Sequence, residues 1–340
     1  TASGTAHSLD QTAVLLAEFC KEKHLLALLQ PFCMLYFDLN IGVIGVDARL
    51  DRRGDAAGNT VSASCRRSVM DGIFLVVGGE VNPLCLKDRG DIYDILDAAA
   101  PFSAALDFDN AGLLVGDGNT VVTRALLALD ITPAVVAEAA SMNANLIISH
   151  HPVIFHPLKA LGPQDVAYQL AGKGIAALCC HTNLDLSPVC GVNVALGSKL
   201  GLRNLRREDV FGEDCVLYSG DLEEPVEPEA FAALVKEKLS APAVHYCKGD
   251  RPVQKVFFCS GAGGAYVHPA ACRGADAYLT GEMKHHEELE AAASRLTCVA
   301  AGHYYTEKVF AEFLASYLKK RVPDTAFLLS QAETAPLRVL

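Results

Sequence analysis

The sequence predicts an α/β protein: two α/β lobes with mainly parallel sheets. Three observations predict it. From Asp91 to the C-terminus, short apolar runs alternate with stretches of helical spacing. Strands separated by helices of about ten residues need crossover connections, which favour parallel pairing. A polar stretch at Asp221–Pro228 interrupts the alternation and places the boundary between the lobes near residues 202–221.

Residues 1–88 do not share this pattern and read as an N-terminal appendage of unknown function. Within it, Leu9–Leu29 has the spacing of a helix and Ile73–Val77 that of a short strand. Asp47–Ser68 (DARLDRRGDAAGNTVSASCRRS) is polar and aperiodic, as a loop is. Residues 89–340 carry the two lobes. Asp91–Leu106 is an amphipathic helix broken near Pro101. Arg124–Leu129 is a buried strand, and Thr132-Pro133 supplies an N-cap and a first-turn proline for a helix through Met142. Asn145–Ser149 is a strand, Gln164–Lys173 a helix stopped by Gly174, and Ile175–Cys180 the next strand. In the second lobe Phe231–Leu239 is helical, Val253–Cys259 a strand and Ser260–Gly264 a tight loop. Ala277–Thr280 is a strand, Met283–Ala293 a helix and Leu296–Ala301 a strand. His303 opens a long helix to Lys320, and the strand Ala326–Ser330 follows.

Composition excludes several functions. The chain has 29 Lys plus Arg against 40 Asp plus Glu, a net charge of −11, and no basic run longer than Lys319-Lys320-Arg321. Nucleic-acid binding is therefore not expected, because phosphate neutralisation supplies most non-specific affinity. The most apolar window, Leu25–Val46, is interrupted by Pro31, Asp38 and Asn40, so no membrane span is expected. The 12 cysteines include no CxxC pair, and no secretory signal is expected at the start. A reduced, cytoplasmic chain with mostly buried thiols follows.

Chemistry gathers at three places, each just past the carboxyl end of an expected strand: His150-His151, His181 through Asp185, and His303 with Glu307. In open α/β sheets that edge is where ligands bind. His303 and Glu307 stand four apart at the start of a helix and project from one face, so together they can hold a divalent ion. Adjacent histidines at a strand-to-loop bend diverge and can serve two ions. Taken singly, each cluster is equally what a hydrogen-bonded histidine at a loop looks like; their convergence on one edge, with Asp185 adding an oxygen ligand, favours a metal. The loop Gly261-Ala262-Gly263-Gly264 fails the G-x-G-x-x-G dinucleotide pattern because Tyr266 takes the third glycine's place. Cys179-Cys180 lies in a buried strand and reads as packing.

Seven stretches in order carry a resemblance. They are LDFDNAGLLVG from Leu106, SHHPVIFHPLK from Ser149, HTNLD from His181 and GVNVALGSKLGL from Gly191, then FFCSGAGG from Phe257, DAYLTGEMKHHE from Asp276 and GHYYTE from Gly302. The chain from Asp91 to Leu340 thereby resembles the Nif-three-like family, whose members are often called GTP cyclohydrolase I type 2 homologues, in its compact form without an inserted middle domain.

The resemblance implies a dinuclear divalent-metal site in the cleft between the lobes and a ring-shaped homohexamer. His150, His151, Asp185, His303 and Glu307 would be the ligands, with Glu307 bridging two ions of zinc, iron or manganese. It further implies a supporting or proton-carrying role for the matched His181, a place for Asp109 and Asn110 at the cavity, and contact of Lys284 and His286 with an anionic substrate. Asp109-Asn110 can equally be a local turn, and Lys284 and His286 simply solvated. Glu282 stands where relatives carry Asp. The function implied is a metal-dependent hydrolase of a small nucleotide-like or phosphorylated substrate, with GTP ring opening and formate release as its specific form. The alternatives are a phosphoesterase or nuclease using the same ions, and a non-catalytic metal-binding or protein-interaction factor.

Overall fold

A computed structural model of the chain describes residues 42–45, 73–77, 80–83, 87–209 and 216–340. The chain divides into two compact units, Thr1–Cys85 and Leu86–Leu340. In the first, β1 (Gly42–Gly45), β2 (Ile73–Val77) and β3 (Glu80–Pro83) pair antiparallel in that order. The expected strand Ile73–Val77 is β2, whereas Leu9–Leu29 and Asp47–Ser68 lie outside the described residues.

The second unit opens with α1 (Arg89–Ala99). A reciprocal capping box starts it: the Asp91 amide donates to Asp88 Oδ1 at 2.7 Å and the Asp88 amide to Asp91 Oδ2 at 3.3 Å. Past Pro101 only a 3-10 turn, Phe102–Ala104, continues. There follow β4 (Gly112–Val115), β5 (Arg124–Ala128), α2 (Pro133–Ser141, capped by Thr132), β6 (Leu146–Ser149), α3 (Val166–Gly172), β7 (Ala176–Cys179), α4 (Thr182–Leu186) and α5 (Val192–Leu200). The second lobe contributes β8 (Arg203–Arg207), β9 (Tyr218–Val226), α6 (Pro228–Lys238), β10 (His245–Cys247), β11 (Val253–Cys259) and α7 (Val267–Cys272). After them come β12 (Ala277–Thr280), α8 (His285–Ala293), β13 (Thr297–Ala300) and α9 (His303–Glu307). The chain ends through α10 (Val309–Lys319) and β14 (Ala326–Leu329).

Both sheets of this unit are mixed; the five-stranded one is mainly parallel, as expected, and the six-stranded one is not, which corrects the expectation there. In the five-stranded sheet, order β14-β5-β6-β7-β4, only the edge strand β4 runs antiparallel. In the six-stranded sheet, order β10-β13-β12-β11-β9-β8, only β11, β12 and β13 are mutually parallel. Crossover helices α7 and α8 enforce parallel pairing of those three. β8 and β9 need no crossover and pair antiparallel.

Both sheets are covered on both faces, which is why their central strands read as unbroken apolar runs. Alternate residues go to opposite sides. Leu127, Leu146, Ile148 and Leu178 pack with Ile92 and Leu96 of α1 and with Phe310 and Leu314 of α10. Leu126, Ala128, Ile147 and Ala177 pack with Val135 and Val136 of α2 and Leu170 of α3. In the other lobe Val256, Phe258 and Leu279 meet Leu196 of α5 and Phe231 of α6, while Phe257 and Tyr278 meet Val267 of α7 and Ala291 of α8. The last helix and strand return to the first lobe, so the lobes are held together by more than one passage of the chain. The helix expected from His303 to Lys320 is interrupted at Lys308, between α9 and α10. Among the described residues no helix is long and apolar enough to cross a membrane.

Candidate metal centre

The carboxyl ends of the parallel strands of both sheets point at one place. β6 ends at Ser149 and delivers His150 and His151; β7 ends at Cys179 and leads through His181 into α4, which carries Asp185. From the second lobe β13 ends at Ala300, and Gly302, at φ +89°, turns the chain into α9 with His303 and Glu307. That left-handed backbone is easy only for glycine. All five expected ligand residues are brought together.

The histidines share one arrangement: each spends Nδ1 on a fixed partner outside the cluster. Nδ1 of His150 lies 2.9 Å from the Cys180 carbonyl, that of His151 2.8 Å from Asp130 Oδ1, that of His181 2.7 Å from Asp109 Oδ1 and that of His303 3.0 Å from Glu282 Oε1. Anchoring one ring nitrogen fixes the tautomer and leaves Nε2 to act. His151 Nε2 and His303 Nε2 lie 3.0 Å and 2.9 Å from Glu307 Oε2, and His150 Nε2 lies 3.9 Å from Glu307 Oε1 and 3.7 Å from Asp185 Oδ1. One ligating atom each of His151, His303 and Glu307 falls within 4.8 Å of the others, as does one each of His150, His151 and His181.

Glu307 is the shared member, and Gly261 makes room for it. At Gly261 φ is +62°, and an added Cβ would collide with the Glu307 carboxylate. The Gly261 amide in turn donates to Thr306 Oγ1 at 3.1 Å, fixing the loop to α9.

A divalent ion fits this donor set. His150 Nε2 and Asp185 Oδ1 are buried without a hydrogen-bond partner and face each other at 3.7 Å, while Glu307 Oε2 meets the imidazoles of His151 and His303. Each atom left without a partner costs about 1–3 kcal/mol, so the facing pair marks a place built for something that binds lone pairs. Ionisation points the same way. Burial pushes His150 down to about 3 and keeps it neutral, as a ligand must be. Burial opposes ionisation of Glu307, yet the adjacent His151 and His303 hold its carboxyl below the usual carboxylate range. Burial and the Glu307 charge push Asp185 well above that range, a cost that a cation would remove. Against burial, Asp130 and Glu307 push His151 up to about 10.

The remaining expected residues separate. His181 lines the cavity of about 500 Å³ that opens over the cluster, together with His151, Asp185, His303 and Glu307. Asp109 stands behind it, accepting from the His181 ring, from Thr182 Oγ1 at 2.5 Å and from the Thr182 amide at 3.0 Å; these bonds hold its carboxyl below the usual range despite burial. Asn110 is not among the residues lining the cavity: its amide donates to Asp109 Oδ1 in a local turn, and its side chain donates to the Ile154 carbonyl at 2.5 Å, tying down the loop beyond His151. The structure does not bring Lys284 or His286 into the cavity lining. Lys284 precedes α8, and the His286 side chain is 74% exposed beside Glu287. Sequence reasoning missed Asp130. Its place just past β5, at the same sheet edge as the other clusters, was the available signal.

The model of the Duf34/NIF3 (NGG1p interacting factor 3) family matches residues 87–336. A GTP cyclohydrolase 1 type 2 homolog of Campylobacter jejuni is 30% identical over 236 residues, covering 67% of this chain and 91% of its own. One from Clostridium acetobutylicum is 30% identical over 263 residues, covering 73% and 97%. Among solved structures, a hypothetical protein of Staphylococcus aureus superposes with a TM-score of 0.70 at 28% identity, covering 75% of this chain and 100% of that one.

Proposed function

This chain belongs to the Duf34/NIF3 family, and from that membership and its histidine–carboxylate cluster we propose that it is a metal-dependent hydrolase of a small nucleotide-like molecule. The observation that carries the reading is the facing pair of buried, unpartnered ligand atoms on His150 and Asp185 beside the Glu307 carboxylate, with Asp185 and Glu307 lining a cavity of about 500 Å³. A volume of that size suits a single small molecule. His150, His151, Asp185 and His303 would hold two divalent ions, with Glu307 between them; a mixed imidazole and carboxylate set accepts zinc, iron or manganese. When bound, such ions supply Lewis acidity and lower the pKa of a water, which is what hydrolysis at neutral pH requires.

The chain's own part is positioning and proton transfer. Asp109 keeps the proton of His181 on Nδ1, so Nε2 faces the cavity as base and then acid. The outer partners Asp130, Glu282 and the Cys180 carbonyl fix three more rings, so little reorganisation remains when substrate arrives. The relatives' names make GTP the specific substrate to test, opened at its imidazole ring with release of formate. Assembly as a homohexamer is part of the same proposal and is read by light-scattering mass.

A panel of GTP, phosphomonoesters and phosphodiesters, run on the wild type and on His150→Ala at saturating metal, tests the reading. Metal-dependent release of formate from GTP, lost in the variant, is the expected result. Turnover of phosphodiesters alone would make the protein a phosphoesterase. No turnover with metal tightly held would make it a binding factor.

A further inference from the structure

The cavity over the metal cluster carries two large apolar rings that stand exposed. Phe108 is 63% exposed and Phe155 39%, yet both line that cavity. A single exposed phenylalanine is ordinary, but these two converge. Their ring centroids are 6.5 Å apart at an interplanar angle of 53°, and Phe155 stands 6.4 Å from the His181 ring. One comes from the turn before β4 and the other from the loop after His151, so two separate segments have been brought to one mouth. Such an open V lets a planar ring lie on one face and meet the other edge-on, the geometry aromatic groups prefer.

Among the described residues that line the same cavity there is no Lys or Arg. Phosphate chains are ordinarily held by Arg or Lys side chains, by metal ions or by free amides of a glycine loop. In the glycine loop here the Gly261 amide already donates to Thr306 Oγ1 at 3.1 Å and the Gly263 amide to Thr280 Oγ1 at 3.0 Å, so any hold on a phosphate chain falls to the metal cluster, and the rings are left to the organic part of the substrate.

Resting on the hydrolase reading of this site, we propose that Phe108 and Phe155 grip the planar, purine-sized ring of the substrate over the metal cluster. The two phenylalanines are the specificity-determining residues for that ring. The ring's reacting edge then points past Phe155 toward His181.

Equilibrium dialysis of the full chain, with its metal content measured in parallel, tests this with guanosine, GTP and inorganic triphosphate as probes. Guanosine should bind, and any binding of inorganic triphosphate should not depend on the two rings. Phe108→Leu with Phe155→Leu keeps apolar bulk and removes both rings. It should weaken guanosine by about tenfold, in keeping with roughly 1–3 kcal/mol for a stacked base, and leave metal content and Tm unchanged. No guanosine binding, undiminished guanosine binding by the double variant, or triphosphate binding that falls with it would overturn the clamp. Guanosine held through the rings but neither it nor GTP turned over would uphold the clamp and sink the hydrolase reading; turnover indifferent to both substitutions would do the reverse.

Discussion

Nε2 of His151 lies 3.0 Å from Oε2 of Glu307, so a strand-end histidine of one lobe meets a helix carboxylate of the other. The same oxygen is 2.9 Å from His303 Nε2. Glu307 thus stands where both lobes and both groups of donors touch it, and loss of its charge should be felt at every metal position at once.

Glu307→Gln preserves size and removes charge, so both ions should be lost together. Asp185→Asn should lower occupancy by one ion at most, since Asp185 reaches only the His150 side of the cluster. Elemental analysis of the two purified variants checks the difference. Equal losses in both would mean that Glu307 is not the bridge.

The proposed function has His181 move protons, and its ring is aimed by Asp109 at 2.7 Å. His181→Ala should therefore keep its metal while turnover falls by about 10²–10⁴-fold. Asp109→Asn should lower turnover less, because the ring stays present but loses its fixed tautomer. Metal loss in His181→Ala equal to that in His150→Ala would make His181 a ligand.

Gly261 supplies no side chain to the cluster, yet the methyl added by Gly261→Ala would press on the Glu307 carboxylate and force a left-handed residue to carry a side chain. Metal affinity should fall at least tenfold, with Tm of the metal-free protein lowered only slightly. Gly274 also has a positive φ, +73°, but an added Cβ there meets nothing within 4 Å, so Gly274→Ala is the control for backbone strain alone. Equal effects of the two substitutions on metal binding would rule out the steric mechanism.

Metal uptake should release protons. With Asp130 and Glu307 beside it, His151 is pushed up to about 10, and His303 is raised as well, first by Glu307. His151 is then protonated at neutral pH and must give up a proton to ligate, so apparent affinity should rise between pH 6 and pH 9. For the metal-free protein the sign is opposite. A histidine whose folded pKa is raised contributes stability fully present below its unfolded value of about 6.5, and this is lost as pH rises through about 10. Calorimetric titration in buffers of different ionisation enthalpy measures the release. Zero protons at pH 7 would contradict the charge state assigned to His151.

Much of this centre is legible in the sequence because its ligands sit at fixed offsets from strand ends, where chain direction alone decides that they meet. Buried runs such as Arg124–Ala128 and Ala277–Thr280 announce themselves by composition. What depends on pairing does not. β8 (Arg-Asn-Leu-Arg-Arg) is an exposed edge strand that reads as loop, and β9 turns polar and exposed from Glu223 to Pro225, so a strand looks like a boundary. The antiparallel placement of both strands corrects the mainly parallel expectation for the same reason. Asp130 has no motif of its own; it matters only because the sheet register brings β5 beside β6 and His151. Lys284 and His286 show the converse, ligand-type residues in a matched motif that the helix α8 carries away from the cavity lining.

The most direct test is the number of ions bound. Full-length protein stripped by chelator and dialysed separately against zinc, iron(II) and manganese, then analysed for bound metal, should reach two ions per chain with at least one of them. The ions should lie about 3.5–4 Å apart, as in other two-metal sites, in a crystal structure of the loaded form. Stoichiometry near zero with all three metals would contradict a metal centre at His150, His151, Asp185, His303 and Glu307.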